Sequence, residues 1–128
     1  MKIYGIGVDL IKIKRIEKLL KSKKNSNKRL FTIHENKISK RIRNKEMYFA
    51  KRFAAKEAFS KALGTGISDG LNFNEIETFS NNKGKPSLKI LGKSRIIVKK
   101  ILKNKRYTIY LSLSDEKTYA IAFVVIAL

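Results

Sequence analysis

The stretch EMYFAKRFAAKEAFSKAL, Glu46 to Leu63, constrains this chain more than any other. Alanine, lysine, glutamate and leucine dominate it, and Gly64 and Gly66 follow as a stop, so a helix is predicted over these residues. At about 100° per residue, Ala54, Ala55, Ala58, Phe59, Ala62 and Leu63 cover a wide continuous arc, and Ala50 and Phe53 lie close to Glu57 on the other side. A helix apolar nearly all round must be wrapped by the rest of the chain. Glu57 is then a carboxylate in poor solvent, which needs a partner, a hydrogen-bond network or a metal. Lys61, one turn on, offers an ordinary i,i+4 ion pair.

The wrapping is legible as strands and short helices. In KIYGIGVDLI, Tyr4, Ile6, Val8 and Leu10 share one strand face, and Ile3, Gly5, Gly7 and Asp9 the other. The two glycines clear the face from which Asp9 projects; either a bend or the close approach of a backbone or ligand explains them. Ile13, Ile16, Leu19 and Leu20 recur at helical spacing, with Lys12, Lys14, Arg15, Lys18 and Lys21 on the remaining surface. KSKKNSNKR reads as a basic loop, and Thr32 with Glu35 forms a capping-box pattern for a helix to about Arg43. His34, the single histidine, lies in that first turn without ligand-type neighbours and reads as structural or surface.

Beyond the glycine turn, NEIETFS and PSLKIL read as a hairpin across NNKGK, GKSRIIVKKILKNK as an amphipathic helix, and RYTIYLSLS with YAIAFVVIA as a second hairpin. The order predicts an α+β domain, with a mainly antiparallel sheet around one long helix and residues 1–128 as a single domain.

Composition limits the function classes. The formal charge of +20, mostly lysine, favours an anionic partner: nucleic acid, a membrane surface, a phosphorylated ligand or an acidic protein. A small nucleic-acid-binding module is an alternative, but Phe49, Phe53 and Phe59 read as helix core rather than as base-stacking residues. Without cysteine there is no disulfide framework or thiolate metal site. The apolar run Tyr119 to Leu128 is too short to span a bilayer, and Asp9 interrupts the opening run, so no signal peptide is read and a cytoplasmic protein is expected. Neither a phosphate-binding P-loop, a dinucleotide fingerprint nor a zinc spacing is present, and a Ser/His/Asp triad has no nucleophile elbow.

What remains is Asp9 and Glu57, oxygen donors without histidine or cysteine, which suit Mg²⁺ completed by water and substrate phosphate. Arg52, Lys56, Lys61 and the backbone amides of GTG offer further contacts to phosphate oxygens. These residues fit metal-assisted chemistry on a pyrophosphate.

At these positions the sequence resembles the holo-acyl-carrier-protein synthases, which are phosphopantetheinyl transferases. GIGVDLIKIKRI is similar to the family's opening motif, KRFAAKEAFSKALGTGI to its central motif, GKPSL to its third, and LSLSDEKTYAIAFVV to its closing strand pair. The resemblance implies Mg²⁺-dependent transfer of 4′-phosphopantetheine from coenzyme A to a serine of apo acyl carrier protein, with release of 3′,5′-ADP, in fatty acid biosynthesis. It implies Asp9 and Glu57 as magnesium ligands and Lys61 beside the reacting phosphate. Coenzyme A would be bordered by Arg52, Phe53, Ser60, Lys61, Gly64, Thr65 and Gly66, with Lys85 and Pro86 reaching it from a neighbouring subunit of a homotrimer. Ile11 stands where the larger, two-lobed enzymes have a second acid, which favours the small trimeric branch; Asp115 stands where many relatives have histidine. The residues leave the proton acceptor open between Glu57 and a water on the metal. The basic helix face, Lys14, Arg15, Lys18 and Lys21, is expected to dock the acidic carrier protein. A family member that binds coenzyme A without transferring the group is the other alternative.

Overall fold

A computed structural model describes residues 1–22, 24–67 and 69–128. In chain order the elements are β1 (Ile3–Lys12), α1 (Ile13–Ser22), α2 (Ser26–Leu30), α3 (Ile33–Ser39), α4 (Lys45–Leu63), β2 (Ile76–Ser80), β3 (Pro86–Ile90), α5 (Gly92–Ile101), β4 (Thr108–Asp115) and β5 (Tyr119–Ala127). The strands form two antiparallel sheets, β1-β5-β4 and β2-β3. The α+β architecture agrees with the sequence expectation.

The long helix is central. Ala50, Ala54, Ala55, Ala58 and Phe59 of α4 are fully or almost fully buried, and the β1-β5-β4 sheet packs across it. Alanines let strand and helix approach closely, and Gly5 and Gly7 complete the fit. A Cβ at Gly7 would stand 2.7 Å from the Ala62 backbone nitrogen and overlap the Ala58 carbonyl, and one at Gly5 would overlap the Ala62 carbonyl. The glycines thus admit a backbone.

Three boundaries differ from the sequence reading; one is α5, which ends at Ile101, where Lys103 and Asn104 turn left-handed (φ 53° and 60°), short of the Lys105 that GKSRIIVKKILKNK suggested. The segment read as a loop from Lys21 contains α2, whose amide–carbonyl bonds close on Asn25 in a left-handed conformation (φ 66°); Lys23 of that loop lies outside the described residues. Helix α3 stops at Ser39 rather than near Arg43, although its predicted capping box forms in full: the Glu35 amide donates to Thr32 Oγ1 (3.1 Å) and the Thr32 amide to Glu35 Oε1 (2.9 Å).

On the sheet face away from α4, the register aligns Ile6, Val125 and Tyr110, then Val8, Phe123 and Ser112, then Leu10, Ile121 and Ser114. Ile6 and Leu10 are each 60% exposed and Phe123 44%, which makes a contiguous apolar patch. Among the described residues no helix is long and apolar enough to cross a membrane.

Candidate active site

The β1–α4 contact brings Asp9 and Glu57 together. Both carboxyls are partly buried, the Asp9 side chain only 17% exposed, and burial pushes each above its ordinary value; the Asp9 charge raises Glu57 further. Lys61 and Arg15 work in the opposite direction on both. Two acids held close with too little solvent are poised to accept a cation.

Lys61 does not form the simple helix pair with Glu57. Its Nζ donates instead to the Val8 carbonyl (3.0 Å) and to Asp9 Oδ1 (3.4 Å), bridging helix to strand while remaining more than half exposed. No salt bridge to Glu57 is formed among the described residues. Arg15, which the sequence reading placed only on the carrier-facing helix, is near enough to lower both carboxyls. Nothing in the local pattern signals this, because it depends on how α1 turns back after β1.

Other expected contacts are arranged differently. Lys56 is fully buried, and its three ammonium protons go to Glu35 Oε1 (2.7 Å), the Phe73 carbonyl (2.8 Å) and the Ile76 carbonyl. It cannot hold phosphate oxygens from there. The amides of Gly64, Thr65 and Gly66 all close on the Ser60 carbonyl, at 3.0, 3.3 and 3.4 Å, as the helix C-cap. These donors are spent on ending α4 rather than offered to a ligand. The Ser60 hydroxyl donates to the Glu57 carbonyl (2.8 Å), and Phe53 is buried in a stack on Phe73 (5.2 Å between centroids).

Arg52 stacks over Tyr48 at 3.7 Å. Five residues before Glu57, it leaves α4 about 140° away from it, so the two do not meet within one chain. Lys85 and Pro86 sit at the β2–β3 turn, where the Lys85 amide donates to Asn81 Oδ1 (2.9 Å) and Pro86 opposes Ser80. Asp115, at the end of β4, pairs with Lys51 of α4 (3.0 Å). On α1, Lys14, Arg15 and Lys18 are exposed, while Lys21 pairs with Glu17 (3.0 Å).

Among the described residues no three carboxylate, imidazole or thiol side chains cluster around a metal-sized space. Two carboxylates with raised proton affinity are nevertheless a suitable protein share for Mg²⁺, which takes one or two carboxylates and fills its shell with water and phosphate.

The sequence profile of the 4′-phosphopantetheinyl transferase superfamily matches residues 5–124. The chain belongs to that superfamily. Curated relatives called holo-[acyl-carrier-protein] synthase include those of Pelagibacter ubique, 48% identical with 98% of each chain covered, and Wolbachia pipientis, 48% identical with 97% of each covered. Among solved structures, the holo-[acyl-carrier-protein] synthase of Neisseria meningitidis superposes with a TM-score of 0.87 at 36% identity, covering 98% of this chain and 99% of that one. The Bacillus anthracis synthase, described as a complex with CoA (3′,5′-ADP), gives 0.80 at 36% identity, covering 98% and 97%. As a phosphopantetheinyl transferase the chain is an enzyme, and its α+β fold is that of these synthases.

Proposed function

We propose that this transferase moves 4′-phosphopantetheine from coenzyme A to a serine of apo acyl carrier protein, depends on Mg²⁺, and releases 3′,5′-ADP. The observation that carries the reading is the Asp9–Glu57 pair, partly buried and mutually repelling beside Lys61 and Arg15, in a chain similar to holo-[acyl-carrier-protein] synthases over nearly its full length.

Asp9 and Glu57 would hold the Mg²⁺. When bound, the ion neutralises negative charge on the pyrophosphate as the serine oxygen attacks and the 3′,5′-ADP leaves. Lys61, exposed enough to swing from Val8 and Asp9, positions a phosphate oxygen. Arg15 adds a second positive charge at the same mouth. The serine proton would pass to Glu57 or to a water beside it. Coenzyme A would lie along α4 toward Ser60 and Gly64–Gly66.

The exposed sheet face built on Ile6, Val8, Leu10 and Phe123 supports a homotrimer, in which Lys85 and Pro86 of a neighbouring copy complete the coenzyme A site. Exposed Lys14 and Lys18 suit electrostatic steering of an acidic carrier protein. The setting is fatty acid biosynthesis in the cytoplasm.

Intact mass spectrometry tests the reading. Apo carrier protein incubated with the chain, coenzyme A and Mg²⁺ should gain one phosphopantetheine, and chelation should prevent it. Folded protein that binds coenzyme A but modifies none of several apo carriers would leave a non-catalytic coenzyme A binder.

A further inference from the structure

Helix α5 is held from beneath. Glu75 accepts from the Lys93 and Ser94 amides (3.0 and 3.2 Å) and from the Ser94 hydroxyl (2.8 Å), and Ser94 and Val98 are fully buried. That anchoring leaves a fixed outward face. Its centre is Ile96, 68% exposed. At about 100° per residue, Lys93 stands one turn before Ile96 and Lys99 and Lys100 one turn after it, with Arg95 on the flank, and all four are exposed. An aliphatic side chain ringed by cations on one short helix faces the solvent.

The surroundings extend the positive face. Between Glu77 and Asp115 the sequence holds ten lysines and arginines and no acid. Among the described residues none of the α5 cations forms a salt bridge. Past the helix, the left-handed Lys103 and Asn104 turn the chain so that Lys105 and Arg106 reach the start of β1. One cleft there has Met1, Lys99, Lys105 and Arg106 in its wall, its neighbour has Lys2, Lys103 and Lys105, and no acidic side chain lines either. The other basic helix differs: α1 carries Glu17, paired with Lys21, and none of its aliphatic side chains is fully exposed.

We propose that the outward face of α5 docks on an anionic lipid bilayer, Ile96 entering the boundary between headgroups and acyl chains while the surrounding lysines reach the headgroup phosphates. Ile96 decides the occupant. A nucleic acid would present phosphates to this face, and an isoleucine at its centre offers them nothing; a strand held through its bases needs stacking aromatics, and none stands on the exposed face of α5. A membrane interface accepts both kinds of group, since lysine stems lie along apolar surface while their ammonium ends stay at the headgroups. Each lysine beside an anionic leaflet strengthens binding about fivefold. The helix is already folded against Glu75, so docking carries no cost for ordering it. The inference does not rest on the transferase reading, since no α5 residue belongs to the carboxylate site.

The test is co-sedimentation of the whole chain with vesicles of phosphatidylcholine, with and without phosphatidylglycerol, at matched salt. Binding to the anionic vesicles alone is expected. Lys93→Gln with Lys99→Gln and Lys100→Gln removes three exposed, unpaired charges and should lower vesicle affinity about a hundredfold, leaving the melting temperature unchanged. Removing three exposed lysines elsewhere, at Lys24, Lys37 and Lys40, should cost far less. Ile96→Ser should weaken binding about fivefold. The chain has no tryptophan, so Ile96→Trp places a single indole at the centre of the face; its emission should move to the blue on anionic vesicles and be quenched by brominated acyl chains. An unshifted, unquenched indole, or equal losses in the two triple variants, would overturn the proposal, because diffuse attraction by the +20 charge would then suffice. An oligonucleotide bound more tightly than the anionic vesicles at equal phosphate concentration, with no loss in Ile96→Ser, would assign the face to nucleic acid and overturn it as well.

Discussion

Replacing Lys56 with methionine separates what the sequence invites from what the structure shows. Lys56 stands in KRFAAKEA next to Glu57 and reads as a phosphate ligand, yet its ammonium is enclosed with Glu35, both side chains at 0% exposure. Glu35 is further held by the Thr32 amide at 2.9 Å and the Thr78 amide at 2.9 Å, while Thr32 Oγ1 donates to Glu77 Oε1 at 2.6 Å. Lys56→Met removes three donated hydrogen bonds and leaves the Glu35 carboxylate buried without its cation. Breaking one side of such a pair costs about 3–5 kcal/mol, a large share of the roughly 5–15 kcal/mol that holds a domain together. Urea unfolding at neutral pH, with unchanged slope, should show that loss. Glu35→Gln combined with Lys56→Met should be less destabilised than the sum of the two changes. Below its melting range, the Lys56→Met enzyme should keep its KM for coenzyme A. A stability loss under about 1 kcal/mol together with a clearly raised KM would refute the structural role and restore the phosphate role.

In metal-free protein, burial raises both Asp9 and Glu57, and Asp9 raises Glu57 further, so their stability contribution is present below the ordinary carboxylate range and lost as pH rises through the raised values. Asp9→Asn and Glu57→Gln should therefore match or exceed the wild-type melting temperature near neutral pH in chelator, converge with it in acid, and abolish transfer; a marked loss of neutral stability contradicts this. Gly7→Ala should cost about 3 kcal/mol, the upper end for overpacking, because the obstructing atoms are α4 backbone, and transfer should fall with it as Asp9 is pushed from Glu57; a neutral melting shift would show that the strand can slide. For Glu75, burial pushes the carboxyl up, but bonds from Asn72, the Ser94 hydroxyl and the Lys93 and Ser94 amides hold it below its usual value. Glu75→Gln should thus cost about 1 kcal/mol near neutral pH, as a lost helix cap does, and the cost should vanish as pH falls through the depressed value. Lys14→Glu with Lys18→Glu should slow carrier modification at low salt and spare coenzyme A binding, with the difference fading once exposed charges are screened over about 8–10 Å.

The central helix, its glycine stop, the capping box of Thr32 and Glu35, both hairpins and the carboxylate pair were legible in the sequence, because each rests on short-range periodicity or local hydrogen bonding. The α3 end and the α2 turn were not, since Lys40–Arg43 and Asn25–Leu30 carry no strong cap or breaker. Partner choice was decided only by the tertiary structure. Sequence spacing offered Glu57 to Lys61, but β1 brings the Val8 carbonyl and Asp9 within reach and takes the ammonium instead. The same spacing offered Lys56 and the GTG amides to a ligand, whereas α3 and the Ser60 carbonyl claimed them first. Arg15 reached the carboxylates only through the turn from β1 into α1. A one-dimensional pattern fixes which face a side chain leaves from; which of several donors and acceptors meets it in a poorly solvated interior depends on the elements that close over that face, and those come from distant parts of the chain.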